Sequence, residues 1–536
     1  MHFKHPTTKQ VRRRSSKQRR LLHRITTLTV LVLAAALSQT FTTNTICADS
    51  NPRPNVVLIM VDDMGFSDIG CYGGEIETPN LDQLAANGLR FTEFYNCAKC
   101  ETTRATLLSG RYHTDVGVAK LQNCVTLAEA MRAGGYTTLM TGKWHQSKTP
   151  IQRGFDRYFG HLSGATNFFT GDDTFRLDDQ PFQVPEKGFY TTDANTDYAI
   201  QFLEQTKDDK PFLLYVAYNA PHYPLQAPRE EVEKYRGKYL GGWDQLRQTR
   251  YARIKKADLL KKDYEPASRP KDVPAWSTLS DKEKDREDLL MATYAGMIDR
   301  VDQNIGRLVE KLKAQRRWDN TLLLFLSDNG ACPFQRTKSA TLENNLMPWE
   351  PASYWTYDKG WAHACNTPFR EYKQNQHEGG ISTPLIAHWP AGIKQAGTIT
   401  RQPGHLVDIM ATCLDLAGLT YPKRHQGQSV GPPRGSSLAP IFAGRQRTQP
   451  DIAFSFYGKN NALRIGKWKL VNIDFGGWEL YDLENDRTEL HNLADENPVQ
   501  LAIMKKHWTT AENEFRMKKK AGQSKKKRNK KKQAGN

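Results

Sequence analysis

The sequence predicts an α/β fold, a large sheet flanked by helices, with a smaller C-terminal α+β domain built on an antiparallel sheet. Three observations predict it. Four short apolar runs, Asn55 to Val61, Pro211 to Ala217, Thr321 to Leu326 and Pro384 to His388, have strand length and no polar face, which reads as buried parallel strands. Helical patterns alternate with them. After about Pro440, short strands with polar turns replace that alternation.

The clearest helix runs from Asp281 to Gln315. Leu289, Tyr294, Met297, Val301, Ile305, Leu308 and Leu312 recur there at helical spacing, and Asp281 is placed as N-cap. Ile452 to Tyr457, Ala462 to Ile473 and Trp478 to Leu483 read as the C-terminal strands, with a helix from about Asn497. Residues 49–440 are assigned to the main domain, with a charged insertion at about 230–284, and 441–515 to the small domain.

At 536 residues the chain can bury a sizeable core. A mean hydropathy of -0.67, with no apolar run near the ~20 residues of a spanning helix, excludes a polytopic membrane protein. The net charge of +18 suggests nucleic acid until it is located. Nine Lys/Arg and no acids lie between Lys4 and Arg24, and eleven between Arg516 and Lys532, so everything between them carries −2. No basic groove is implied, and no nucleic-acid partner is expected.

Those basic ends have their own reading. Arg12, Arg13, Arg14, Lys17, Arg19, Arg20 and Arg24 precede a 13-residue apolar stretch, Ile25 to Leu37, and small residues around Ile46-Cys47-Ala48. This is the pattern of a signal peptide over residues 1–48, so a periplasmic, extracellular or cell-surface protein is expected. Residues 516–536 read as a solvated Lys-rich tail capable of weak contact with polyanions. The eight cysteines show no recurring zinc spacing, and an exported chain would permit one or two disulfides.

Two of the apolar strands end in similar chemistry, Asp62-Asp63 after the first and Asp328-Asn329 after the third. Ligands of α/β sheets bind at the carboxyl ends of strands. Adjacent carboxylates repel, so a cation compensates them, and four oxygen donors point to a hard ion, Ca²⁺ or Mg²⁺. One such pair alone would as readily cap a turn. Farther along, Cys100-Glu101-Thr102-Thr103-Arg104 reads as a loop entering a helix, where a nucleophile meets the positive end of the helix dipole.

At this point the chain resembles the sulfatase family. The family's C-x-P-S-R signature, with Leu-Thr-Gly soon after, is matched at Cys100, Arg104, Leu108 and Gly110, with Thr102 for Pro, Thr103 for Ser and Ser109 for Thr. Gly142-Lys143-Trp144-His145, Ala220-Pro221-His222-Tyr223-Pro224, Lys373 with Glu378-Gly379-Gly380, and Tyr481-Asp482-Leu483 through Asn492-Leu493 match further family elements in order. The resemblance implies the alkaline phosphatase-like large mixed sheet and an arylsulfatase-like sulfuric-ester hydrolase acting on a sulfated small molecule or sulfated glycan.

Residue by residue, the resemblance implies these roles. A formylglycine-generating maturation enzyme would oxidise Cys100, and the hydrate of the resulting formylglycine would be the nucleophile. Asp62, Asp63, Asp328 and Asn329 would hold Ca²⁺ against sulfate oxygens. Arg104 and Lys143 would stabilise the hydrate and the metal site, and His145 would take the proton of its second hydroxyl. Lys373 and His222 would bind sulfate, with His222 near the leaving oxygen. Related phosphodiester and phosphonate-ester hydrolases share these motifs, and a non-enzymatic sulfatase-like binding protein is the reading if Cys100 stays unconverted. Trp355, Tyr357 and Trp361 read equally as an aromatic wall for a substrate ring or as loop packing.

Overall fold

The structure is a computed structural model that describes residues 53–207, 209–448, 452–454 and 460–512. The leader and the Lys-rich tail expected from the sequence lie outside these residues, as does the first C-terminal strand beyond Phe454. No helix of the described residues is long and apolar enough to cross a membrane.

Eleven strands of the described residues form the main sheet: β1 (Asn55–Val61), β2 (Leu89–Tyr95), β3 (Thr137–Gly142), β4 (Arg157–His161), β5 (Phe175–Leu177), β6 (Gln180–Pro181), β7 (Phe212–Ala217), β8 (Thr321–Ser327), β9 (Ser382–His388), β10 (Thr398–Thr400) and β11 (Gly404–His405). Their order is β10-β2-β9-β8-β1-β7-β3-β4-β5-β6, with β11 also on β2. The run β8-β1-β7-β3-β4 is parallel. β9 corrects the expectation of a parallel strand, since it pairs antiparallel with both β8 and β2. A run that is apolar on both faces tells burial but carries no direction.

Strand alternation splits the core in two. Val57, Ile59 and Val61 of β1, with Leu323 and Phe325 of β8, join one cluster. Val56, Leu58 and Met60, with Leu322, Leu324 and Leu326, join the other across the sheet. The first cluster is covered by the helix Asp281–Ala314, which buries Leu289, Met297, Val301, Ile305, Leu308 and Leu312. Its N-cap is Ser280, not Asp281, because Ser280 and Glu283 close a reciprocal capping box. The second cluster is covered by the helices Cys100–Ser109 and Val407–Leu416. The charged stretch 230–284 is packed into the body. Its Trp243 is buried, and its fully buried Arg250 pairs with Asp68 at 2.5 Å and Glu75 at 2.8 Å.

The C-terminal sheet is antiparallel, β12 (Ile452–Phe454), β13 (Asn461–Ile465), β14 (Trp468–Asn472) and β15 (Trp478–Asp482). The stretch 462–473 therefore holds two strands, turned at Gly466, which takes φ +56°. One face packs on Tyr95, Ala98 and Ile381 of the main body, and the other on Trp508 of the helix 498–512.

Buried charge ties this sheet to the segment that carries Lys373. Lys469, fully buried, meets Glu378 at 2.8 Å and Glu489 at 2.6 Å, and Arg487 adds a contact to Glu378 at 3.3 Å. Removing the ammonium leaves two buried carboxylates face to face. Lys469→Met is therefore expected to cost about 3–5 kcal/mol, read as a lower denaturant midpoint of the full chain. A midpoint equal to the wild type's would show that this cluster does not hold the sheet in place.

Candidate active site

Because β1, β3, β7 and β8 are parallel, their carboxyl ends share one edge of the sheet. Asp62 and Asp63 follow β1, Lys143 follows β3, His222 lies five residues beyond β7, and Asp328 and Asn329 follow β8. The antiparallel β9 begins at that same edge, which brings in Lys373 from the segment before it. β2 is antiparallel to β9 and so ends there, delivering Cys100 at the first position of its helix.

The side chains converge. Lys373 Nζ donates to Asp63 Oδ1 at 2.5 Å, and Asn329 Nδ2 donates to the same oxygen at 2.6 Å. Lys143 Nζ donates to Asp62 Oδ2. Arg104 bridges Asp62 at 3.4 Å and Asp328 at 3.2 Å, and its other amino group donates to the Lys143 carbonyl at 2.8 Å. His222 Nε2 lies 3.6 Å from Asp63 Oδ2, and its Nδ1 donates to the Tyr223 carbonyl at 2.7 Å. A ligand atom from each of Asp62, Cys100 and Asp328 lies within 4.8 Å of the others, as do those of Asp62, Asp63 and His222.

Burial and charge set the protonation pattern. Burial works to raise the Asp62 carboxyl, but Lys143, His222, Arg104 and Lys373 hold it well below the usual range. Burial together with the Asp62 charge pushes Asp328 up to about 8 despite Arg104 and Lys143. Asp62 Oδ1, Asp63 Oδ2 and Asn329 Oδ1 are also buried with no hydrogen-bond partner. Leaving three such oxygens unsatisfied costs about 1–3 kcal/mol each. A set of oxygen donors with three of its buried oxygens unsatisfied fits a hard divalent cation.

The histidines are held neutral. Burial, then Lys143 and Arg104, push His145 down to about 2, and burial pushes His222 down to about 4. Burial raises the Cys100 thiol against the pull of Lys143 and Lys373, so an ionised thiolate is not favoured. His145 has a left-handed φ of 52°, and its Nε2 sits 3.6 Å from Glu101 Oε2. Gly164 leaves room for that ring, since a Cβ there would meet His145 Nε2 at 2.8 Å.

Other site residues escaped the sequence reading. Asp63 also takes a left-handed φ, 69°, and is held in it by its N–H on Asp328 Oδ1 at 3.3 Å and by Tyr294 OH donating to its carbonyl at 3.2 Å. Tyr294 reads in sequence only as one more buried position of the long helix; its hydroxyl among aliphatic neighbours is the available signal. Thr103 keeps the work of a serine. Its hydroxyl donates to the Asp328 carbonyl at 2.6 Å and accepts the Cys97 N–H at 2.9 Å. Cys332, Tyr223 and Phe334 line a cleft beside Asp63. Of the three aromatic candidates, only Tyr357 reaches that cleft. Trp361 packs in the core against Trp243, Trp276 and Tyr239. No disulfide joins the described cysteines.

This fold and edge-of-sheet site define a hydrolase of the alkaline phosphatase-like class. The sulfatase family model matches residues 54–419, and the model named N-sulphoglucosamine sulphohydrolase, C-terminal, matches residues 371–514. The chain belongs to the sulfatase family, and with it to the sulfuric-ester hydrolases. It is 33% identical over 530 residues to an uncharacterized sulfatase of Schizosaccharomyces pombe, covering 86% of this chain and 94% of that one. It is 30% identical over 445 residues to an arylsulfatase of Klebsiella aerogenes, covering 75% and 95%. The solved structure of Ps i-CgsB in complex with k-i-k-neocarrahexaose superposes with a TM-score of 0.63 at 26% identity, covering 85% of this chain and 92% of that one.

Proposed function

We propose that the protein is an exported sulfatase that cleaves sulfate esters of aryl or sugar alcohols, with residue 100 as nucleophile after conversion to formylglycine. The observation that carries this is the group of three unpartnered buried oxygens, on Asp62, Asp63 and Asn329, gathered with Cys100 among Arg104, Lys143 and Lys373. Likeness to an arylsulfatase and to a protein solved in complex with k-i-k-neocarrahexaose supports the two alcohol classes. The basic stretch and 13-residue apolar run before residue 48 support export.

Asp62, Asp63, Asp328 and Asn329 would hold Ca²⁺, and the bound ion supplies positive charge against sulfate oxygens. Formylglycine, once made by a maturation enzyme, supplies a hydrate hydroxyl as nucleophile. Lys143, Lys373 and Arg104 surround the same point with preorganised positive potential, where negative charge develops as the ester bond breaks. His145, neutral and beside Glu101, would be the acceptor for a proton of the hydrate. His222 is fixed by its Nδ1–H bond to the Tyr223 carbonyl, which aims its Nε2 into the site; neutral as it stands, it would first take up a proton at Nε2, favoured by the negative charge of a bound sulfate ester, and would then hand that proton to the leaving oxygen.

His222→Ala is expected to slow an alkyl sulfate by about 10²-fold or more, and a nitrophenyl sulfate by much less, because a good leaving group needs no proton. Steady-state kinetics on the two esters measure this, and equal losses would remove His222 from that role. The reaction class is checked with paired aryl sulfate and aryl phosphodiester substrates. Faster turnover of the phosphodiester would place the protein with the phosphodiester hydrolases instead.

A further inference from the structure

The cleft beside Asp63 is lined by the partly exposed Tyr223 and Phe334, which mark a rim that the reaction itself does not use. Tyr223 follows His222 in the chain, and the two ring centroids are 4.1 Å apart. The rim therefore continues from the leaving-group side of the site. The Tyr223 and Tyr354 ring centroids lie 6.2 Å apart and both side chains are partly exposed, so together they form an aromatic platform at the surface.

Two cations top this platform. Arg336 Nη1 donates to the Tyr223 hydroxyl at 2.7 Å, with its guanidinium 5.4 Å from the Tyr223 ring and 5.3 Å from the Phe334 ring. Lys338 Nζ stands 4.2 Å over the Tyr354 ring. The backbone holds them there, because Arg336 N–H donates to Thr356 Oγ1 at 2.8 Å and Lys338 N–H donates to the Tyr354 carbonyl at 3.2 Å. Neither cation has a carboxylate in ion-pair reach among the described residues, whereas Arg229 and Lys359, elsewhere on the surface, each have one. Both are exposed. A pair of cations seated on aromatic faces at the mouth of a site, without anionic neighbours, is arranged to receive an anion.

We infer that Arg336, Lys338, Tyr223 and Tyr354 form a specificity subsite for a second anionic group, a carboxylate or another sulfate, on the saccharide whose sulfate ester is cleaved. This deepens the sulfatase reading and rests on it. The sugar sits beside the cation-capped tyrosines, its reacting sulfate points to Cys100, and its second anion meets the guanidinium and ammonium. These contacts lie away from the sulfur, so they act on substrate capture and not on the chemical step.

The test compares one disaccharide in three forms: with a single sulfate ester, with an added second sulfate, and with a carboxylate in place of that second sulfate. Each is given to the full chain with converted residue 100 and Ca²⁺, in the wild type and in the Arg336→Ala/Lys338→Ala protein. The wild type is expected to favour one doubly charged form over the singly charged one by about tenfold or more in kcat/KM, mostly through KM. In the double variant that ratio falls to near one, and Arg336→Lys keeps most of it. The form that shows the preference identifies the anion. No preference in the wild type, or a preference that survives the double substitution, overturns the subsite. Loss of the sulfatase reading looks different, because the wild type would then cleave none of the three. In that event calorimetric binding of the same sugars to Cys100→Ala protein, with and without Arg336 and Lys338, still decides the subsite. Charge-dependent binding that needs both residues supports it, and binding indifferent to them refutes it.

Discussion

Asp63→Ala is expected to abolish both bound divalent ion and turnover, by about 10³-fold or more in kcat, while the chain stays folded. Asp63 has the most crowded position in the site. Its Oδ1 accepts from Lys373 and Asn329, its Oδ2 faces His222 without a hydrogen-bond partner, and its own N–H ties it to Asp328. Losing the carboxylate removes one ion ligand and leaves Lys373 without its charge partner, so Lys373 shifts as well. The left-handed backbone at Asp63 suits aspartate better than alanine, and Lys373 loses a buried partner, so stability falls too, but one site at the edge of the sheet leaves the large core in place. Metal content by mass spectrometry and aryl sulfate hydrolysis measure the two effects together. Full activity in metal-free Asp63→Ala protein would refute the metal assignment.

Cys100→Ala is expected to lose activity as completely, about 10⁴-fold or more, with metal still bound. The thiol is buried and not favoured as an anion, so Cys100 as encoded is a poor nucleophile in this pocket. A sulfate held on its sulfur also has no adjacent hydroxyl to expel it. Conversion of Cys100 is therefore the proposed route to a nucleophile in this Lys, His and carboxylate set. Thr102 stands where the family signature has proline. In the folded protein its hydroxyl donates to the Cys97 and Lys99 carbonyls at 2.9 and 2.8 Å. It lies in the first turn of the helix, where a proline interrupts no helical hydrogen bond. Thr102→Pro is thus tolerated by the fold, and it raises the converted fraction by restoring the fixed φ of the recognition peptide.

Much of this site was legible because its chemistry sits at strand ends, where apolar runs stop abruptly at Asp62-Asp63 and Asp328-Asn329. The role of Lys373 was legible only through resemblance. Its position depends on β9 running antiparallel, and a strand buried on both faces carries no sign of direction. The tight E-G-G turn has a physical reason that sequence alone hides: a Cβ at Gly379 would meet the Arg370 and Glu371 carbonyls at 2.2 Å, and one at Gly330 would meet the Gly379 carbonyl at 1.8 Å. The stretch 230–284 looked like an insertion because of its charge, yet Arg247 and Arg250 are buried and satisfied by groups distant in sequence, His363 and Pro368 carbonyls for one and Asp68 and Glu75 for the other. The same holds for the rim. Arg336 and Lys338 lie in an unremarkable polar stretch, and only the fold lays them on Tyr223 and Tyr354.

The central claim is that this chain cleaves sulfate esters through a converted residue 100, and one measurement tests it most directly. Protein made in a host with the maturation enzyme is assayed on an aryl sulfate, and the peptide containing residue 100 is weighed from the same sample. The account predicts a peptide carrying an aldehyde in place of the thiol, with turnover proportional to the converted fraction. A preparation that hydrolyses the ester at full rate with only unmodified Cys100, or one fully converted and loaded with Ca²⁺ that hydrolyses no sulfate ester, would contradict it.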